Sequence, residues 1–255
     1  MLHSLISGSS GNCSLFSAKS TNILIDCGMS GKQLERQLEK LNLSGKDLNA
    51  ILVTHEHIDH IKGIGVVSRR YDIPVFATEQ THIEMSRIGI SDKNRCIISP
   101  DRPFEIEDAT LDAFSIPHDA ADPVGYRIYF SGEKYSVATD IGTMTNELFD
   151  SISGSHSVIL ESNHDIDMLI NGHYPEHLKQ RILGTFGHMS NELAAKTAVA
   201  LANRGTKNIM LAHLSEENNT PQIAYDTVSA ALKDAGAEKG DIGLIVAQRY
   251  EVTSF

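Results

Sequence analysis

The stretch His55-x-His57-x-Asp59-His60 constrains this chain more than any other feature. Ala50 to Val53 reads as a buried strand that ends directly in Thr54-His55-Glu56-His57-Ile58-Asp59-His60. Ile61, Ile64, Gly65 and Val67 then read as a helix running to about Arg70. Residues two apart at a strand end project to the same side, so His55 and His57 can share one metal, while the start of the helix turns Asp59 and His60 toward a second. The cluster therefore lies where a strand hands over to a helix, and one short segment can seed a two-metal site.

The rest of the chain supplies further strands and helices. Leu2 to Ile6, Cys13 to Ser17 and Asn22 to Ile25 are β-like runs separated by the Gly/Ser turn Ser7 to Gly11 and by Lys19-Ser20, which is the pattern of a β-meander. Leu34, Leu38 and Leu41 recur at helical spacing and predict an amphipathic helix over Ser30 to Leu41. Further strands are expected at 74–77, 110–116, 125–130, 135–139, 157–160 and 208–211, with helices at 79–87, 175–183 and 191–203. Thr220-Pro221 opens one more helix, which Gly236 closes. Two halves, each strand-rich and then helical, suggest two sheets packed face to face with helices outside, as a single domain over residues 1–255.

Composition sets the limits of function. With 255 residues, 41% hydrophobic and 22% charged, the chain is long enough for a substantial core and has no low-complexity bulk. No apolar run approaches the roughly 18 residues needed to span a bilayer, and the start lacks a basic segment followed by a long apolar one, so a cytoplasmic protein without a membrane partner is expected. Cys13, Cys27 and Cys96 are odd in number and lack CxxC spacing, which fits a reducing compartment and small buried hydrophobes rather than disulfides or a thiolate site. Lysine and arginine total 22 against 33 acidic residues, a net charge of −11 that argues against a basic, sequence-blind nucleic-acid binder. A metal cluster or a local cationic track can still hold a phosphodiester on such a protein. Lys62, Arg69, Arg70, Lys179 and Arg181 are candidates for that track, and scattered solvated charges are the alternative.

The hexapeptide resembles the HxHxDH motif of the metallo-β-lactamase superfamily, and other positions resemble the rest of that family's pattern. The resemblance implies a four-layer αβ/βα sandwich and two divalent ions, Zn²⁺, Mn²⁺ or Fe²⁺, which a sulfur-free donor set suits without choosing between them. On this likeness His55, His57 and His118 hold one ion, Asp59, His60 and His213 hold the other, and Asp140 bridges. Asp26 matches the first-motif aspartate, which orients the metal loop rather than ligating. Each of these residues follows an expected strand. Two ions with a bridging carboxylate can hold a hydroxide at neutral pH and clamp the oxygens of a phosphoryl displacement. Glutamate does not stand at position 57, which counts against a flavodiiron role, and the 73 residues from Asp140 to His213 are too few for the inserted lobe of β-CASP nucleases.

Gly187-His188-Met189-Ser190 is similar to the GHxS/T segment of ribonuclease Z and related phosphodiesterases. It implies that His188 protonates the leaving oxygen, so His188 joins Asp59 and Asp26 in the expected catalytic set. Glu161 and His164, in ESNHD, are expected to support the site or to touch a phosphate. Ser9 and Asn12, in SGSSGN, belong to a turn that either cups a phosphate or is a tight hairpin with no ligand. Together with VTHEHIDHIKG, SIPHDAADP and LAHLSEENN, these segments make nearly the whole chain similar to the YycJ/WalJ group of bacterial proteins. That likeness implies a metal-dependent 5′-to-3′ exonuclease on double-stranded DNA, linked to mismatch repair. A phosphodiesterase for cyclic or nucleotide substrates, a thioesterase and a non-catalytic regulatory module remain the alternatives, and protein partners are not specified.

Overall fold

The computed structural model describes residues 1–100, 102–237 and 240–255, and its strands form two mixed sheets. By its contacts the chain divides into two compact units. The first comprises 1–115, 120–130 and 248–255, and the second comprises 116–119 and 131–247.

In the first unit the order is β1 (Leu2–Ile6), β2 (Cys13–Ala18), β3 (Thr21–Ile25), α1 (Gly31–Glu39), β4 (Ala50–Leu52), α2 (Ile58–Ile61), α3 (Ile64–Tyr71), β5 (Val75–Thr78), α4 (Glu79–Glu84), β6 (Arg95–Ile98), β7 (Phe104–Ile106), β8 (Ala109–Ser115) and β9 (Val124–Phe130). The second unit carries β10 (Glu133–Ala138), α5 (Asn146–Ile152), β11 (Ser157–Glu161), α6 (Ile166–Asn171), α7 (Glu176–Leu183), α8 (Asn191–Asn203), β12 (Asn208–Ala212), α9 (Pro221–Asp234) and β13 (Gly243–Val246). The chain then returns to the first unit with β14 (Thr253–Ser254).

The expected meander is present: β1 pairs antiparallel with β2, and β2 with β3. From β3 the sheet continues in parallel through β4, β5 and β6, with β14 on its other edge. Leu5, Leu15, Leu24 and Ile51 pack with Leu34, Leu38, Ile64 and Val67 of the covering helices into one apolar core. β7, β8 and β9 form an antiparallel run whose Phe130 and Phe104 rings contact Phe16 and Phe76, with centroids 5.7 and 5.2 Å apart. Beneath the metal-motif strand, the Tyr126 hydroxyl donates to the Val53 carbonyl at 2.6 Å. The expected helix from Ile61 to Arg70 is interrupted. α2 ends at Ile61, and Gly63 closes against Cys27 and Met29, where an added Cβ would lie 2.1 Å from the Met29 carbonyl oxygen.

In the second unit β10, β11, β12 and β13 are all parallel. SVILE and NIMLA are almost wholly buried, the near-continuous apolar pattern of strands covered on both faces. Ser190 caps α8 by accepting from the Leu193 amide. Thr220 caps α9 with Pro221 in its first turn, and small residues such as Ala194, Ala198 and Ala224 let these helices bury closely. All three cysteines are free. Cys13 and Cys27 are buried as expected, whereas Cys96 on the outer strand β6 is only half-buried.

Candidate metal centre

In the first unit, β4 delivers the histidine motif and α2 turns its second half, with His57 as the residue before the helix. The His55 ring lies 4.5 Å from that of His57 and 4.1 Å from that of His60, centroid to centroid. Asp26 organises this loop from the end of β3. Its Oδ1 accepts from the Thr54 amide, and its Oδ2 accepts from the Thr54 hydroxyl and from His60 Nδ1, each at 2.8 Å. Because the Thr54 proton goes to Asp26, the Thr54 oxygen is left to accept from His55 Nδ1, 2.9 Å away. His55 and His60 are thereby fixed in the tautomer that leaves Nε2 as a metal donor. Thr54 was not a candidate in the sequence. The signal that could have singled it out is a hydroxyl residue standing directly before the first histidine.

The SGSSGN turn braces the same loop. Asn12 accepts from the Gly8 amide through Oδ1, while its Nδ2 donates to Asp59 Oδ2 at 3.2 Å and lies 3.1 Å from His60 Nε2. The Asn12 amide donates to the Asp59 carbonyl. Amides of Ser7, Gly8, Gly11 and Asn12 all donate to protein acceptors, as in a tight turn, and Ser9 is exposed at its tip.

In the second unit, the loop after β8 brings His118, the end of β10 brings Asp140, β11 brings Glu161, the residues before α8 bring His188, and the end of β12 brings His213. Donor atoms of Asp140, Glu161, His188 and His213 all lie within 4.8 Å of one another. Glu161 is fully buried at their centre. Its Oε1 accepts from His188 Nδ1 and His213 Nδ1, both at 2.8 Å, and its Oε2 accepts from the amides of Ile141 at 2.6 Å and Met189 at 3.0 Å. An ionised carboxylate only accepts, so both imidazoles carry their proton on Nδ1 and present Nε2. Burial alone would raise the Glu161 pKa, but the imidazoles of His188 and His213 outweigh it and hold it at about 2. The carboxylate orients imidazoles and has no face left for a phosphate.

His118 Nδ1 donates to the Gly187 carbonyl at 3.1 Å, and its Nε2 lies 3.8 Å from Asp140 Oδ1. Burial lowers its pKa, partly offset by Asp140, and so favours the neutral ligand form. Gly187 is required here, since a Cβ would fall 2.1 Å from the Ile182 carbonyl oxygen. His164 lies close by, near enough for the charges of Glu161 and His188 to act on it. It is 1% exposed, burial drops its pKa to about 4, and neither ring nitrogen has a hydrogen-bond partner among the described residues. Asp26, Asp140 and His213 adopt left-handed backbone conformations at strand ends, with φ of 59°, 62° and 58°. Residues held in this region cluster at functional sites.

Both half-sets fit divalent cations: His55, His60, His118 and His213 are buried and held in one tautomer from behind, His57 and His188 are half-buried beside them, and Asp59 in the first unit and Asp140 in the second add carboxylates. Fold and donor chemistry define a metal-dependent hydrolase. The chain belongs to the beta-lactamase superfamily, whose domain model matches residues 21–214. It is 38% identical over 239 residues to exodeoxyribonuclease YycJ of Bacillus anthracis, covering 93% of this chain and 90% of that one. It is 35% identical to exodeoxyribonuclease WalJ of Streptococcus pneumoniae, covering 91% and 87%. The fold matches that of Zn²⁺-bound PqqB from Methylobacterium extorquens with a TM-score of 0.72 at 16% identity, over the whole of both chains. Among the described residues no helix is long and apolar enough to cross a membrane.

Proposed function

We propose that this chain, acting as one catalytic domain over residues 1–255, is a dinuclear-metal-dependent 5′-to-3′ exonuclease on double-stranded DNA. The reading places it in the cytoplasm and in DNA repair. His55, His57 and His118 would hold one ion, Asp59, His60 and His213 the other, and Asp140 would bridge them, with Zn²⁺, Mn²⁺ or Fe²⁺ all compatible with these donors. When bound, such a pair supplies a nucleophilic hydroxide at neutral pH and charge stabilisation for the displaced phosphoryl group.

The chain's own residues do the rest. Asp26 holds His60 directly and His55 through Thr54. His188 delivers a proton from Nε2 to the leaving 3′ oxygen, while Glu161 on its Nδ1 stabilises the imidazolium before transfer. The observation that carries this reading is the Glu161 carboxylate shared by His188 and His213 at 2.8 Å to each, which ties a proton donor to an expected metal ligand. The names of the two exodeoxyribonucleases similar along most of the chain support a DNA substrate.

The net charge of −11 favours a second reading, a phosphodiesterase for cyclic or nucleotide substrates. Incubating the protein with 5′-labelled duplex DNA, single-stranded DNA and bis-p-nitrophenyl phosphate, each with Mn²⁺ or Zn²⁺, separates the two. Release of labelled mononucleotide from duplex ends is expected. Hydrolysis of the small ester with no attack on DNA would overturn the exonuclease in favour of the small-molecule enzyme.

A further inference from the structure

Beside the metal-motif loop, and wholly within the first unit, lies a groove of about 400 Å³ whose walls include Ser10, Gly28, Arg36, Lys62 and Tyr250. Its charge runs against that of the chain. Acidic residues outnumber basic ones by 33 to 22 overall, yet among the described residues the charged side chains lining this groove are Arg36 and Lys62, without a carboxylate.

The other basic candidates are engaged elsewhere. Arg69 donates to the carbonyls of Ile88 and Gly89, Arg70 lies 3.9 Å from Glu35, Lys179 donates to the Ile170 carbonyl and Arg181 pairs with Asp119. Arg36 and Lys62 make no side-chain hydrogen bond or ion pair among the described residues. Tyr250 is 59% exposed, an aromatic surface left open to solvent, while its carbonyl is anchored by Gln37 Nε2 at 2.8 Å.

The groove abuts the expected ligands. Lys62 follows His60 by two residues, Gly28 approaches the Asp59 carbonyl so closely that a Cβ would lie 1.7 Å from it, and Ser10 belongs to the turn whose Asn12 holds Asp59. Two uncommitted cations and one open aromatic ring, side by side, are what a nucleic-acid strand requires: phosphates on the charges and a base on the ring.

We propose that this groove holds a DNA strand where it leaves the reaction centre, with backbone phosphates on Arg36 and Lys62 and one base stacked on Tyr250. The inference rests on the exonuclease reading and names where that enzyme grips its substrate. It is tested by fluorescence anisotropy on the metal-loaded protein, using a fluorescein-labelled single-stranded oligonucleotide whose phosphorothioate linkages resist hydrolysis, over a series of salt concentrations.

Arg36→Ala with Lys62→Ala is expected to weaken binding and to lower the slope of log affinity against log salt by about 1.4, roughly 0.7 for each phosphate of a single strand that is no longer neutralised. Lys62→Arg should keep the wild-type slope. Tyr250→Ala is expected to weaken binding by about 5- to 150-fold with the slope unchanged, and Tyr250→Phe to restore it. Wild-type affinity in Tyr250→Ala, an unchanged slope in the double variant, or no binding by the wild type would each overturn the proposal. Parallel nuclease assays keep the two readings apart. DNA held through this groove but never cut overturns the exonuclease alone, whereas DNA cut by a protein whose groove variants bind as wild type overturns the groove alone.

Discussion

Glu161 shows how much one buried side chain does here. Four hydrogen bonds converge on its two oxygens, two from backbone amides and two from imidazoles, so the residue sets position and tautomer for His188 and His213 together. Its replacement by glutamine sets an NH2 either against the two imidazole Nδ1–H groups or against the amides of Ile141 and Met189, donors facing donors in both orientations. Glu161→Gln is therefore expected to cut metal affinity by about 10- to 100-fold, the usual effect of losing a partner behind a ligand. It should also slow turnover by about 10²-fold or more, as the protonated form of His188 is no longer stabilised. Metal titration with a competing chelator, followed by kcat on duplex DNA, checks both; unchanged affinity would mean that Glu161 is merely structural. The identities of these residues were legible from the sequence. The left-handed backbone at Asp26, Asp140 and His213 was not, because aspartate and histidine occur at strand ends in ordinary conformations as well, and only the folded backbone shows the strain.

At the level of elements, the loop from Thr54 to His60 is wedged between β3 and the Ser7–Asn12 turn with no room for further atoms. Gly28 is the tightest point, since a Cβ there would meet the Asp59 carbonyl at 1.7 Å and the Asn12 amide at 2.6 Å. Gly28→Ala is expected to push the loop off the turn and to destabilise the protein by about 1–3 kcal/mol. Urea denaturation should show this as a lower midpoint at an unchanged m-value. Elements with strong local signals were readable in advance. The sequence predicts α8 over Asn191 to Asn203, where it lies, and β1 likewise matches. β6, β7, β13, β14, α5 and α6 carry no comparable signal. RCII of β6 alternates exposed and buried residues over only four positions, FEI of β7 has three, and such short pieces become strands through pairing with β5 and β8 rather than through their own composition. α5 and α6 run for only seven and six residues, too few turns for a helical period to stand out.

For the whole molecule, the buried histidines set the response to acid. Burial lowers the pKa of both His3 and His164 from 6.5 to about 4, so each is neutral in the fold at pH values where the unfolded chain has already taken up a proton. Between pH 6.5 and about 4 the unfolded state binds more protons, and stability falls as pH falls through that window. Thermal melting across it should show a decline that His3→Gln makes shallower, while a Tm flat from pH 6.5 to about 4 in the wild type would contradict the assignment. The reading of the molecule as an enzyme depends on cations held by imidazoles and carboxylates that the sequence scatters from position 55 to position 213. Inductively coupled plasma mass spectrometry on protein dialysed after loading with Zn²⁺ or Mn²⁺ tests that most directly. Two ions per chain, falling to one or none in Asp140→Ala, is the predicted result; a wild-type chain that retains a single ion or none contradicts the dinuclear centre.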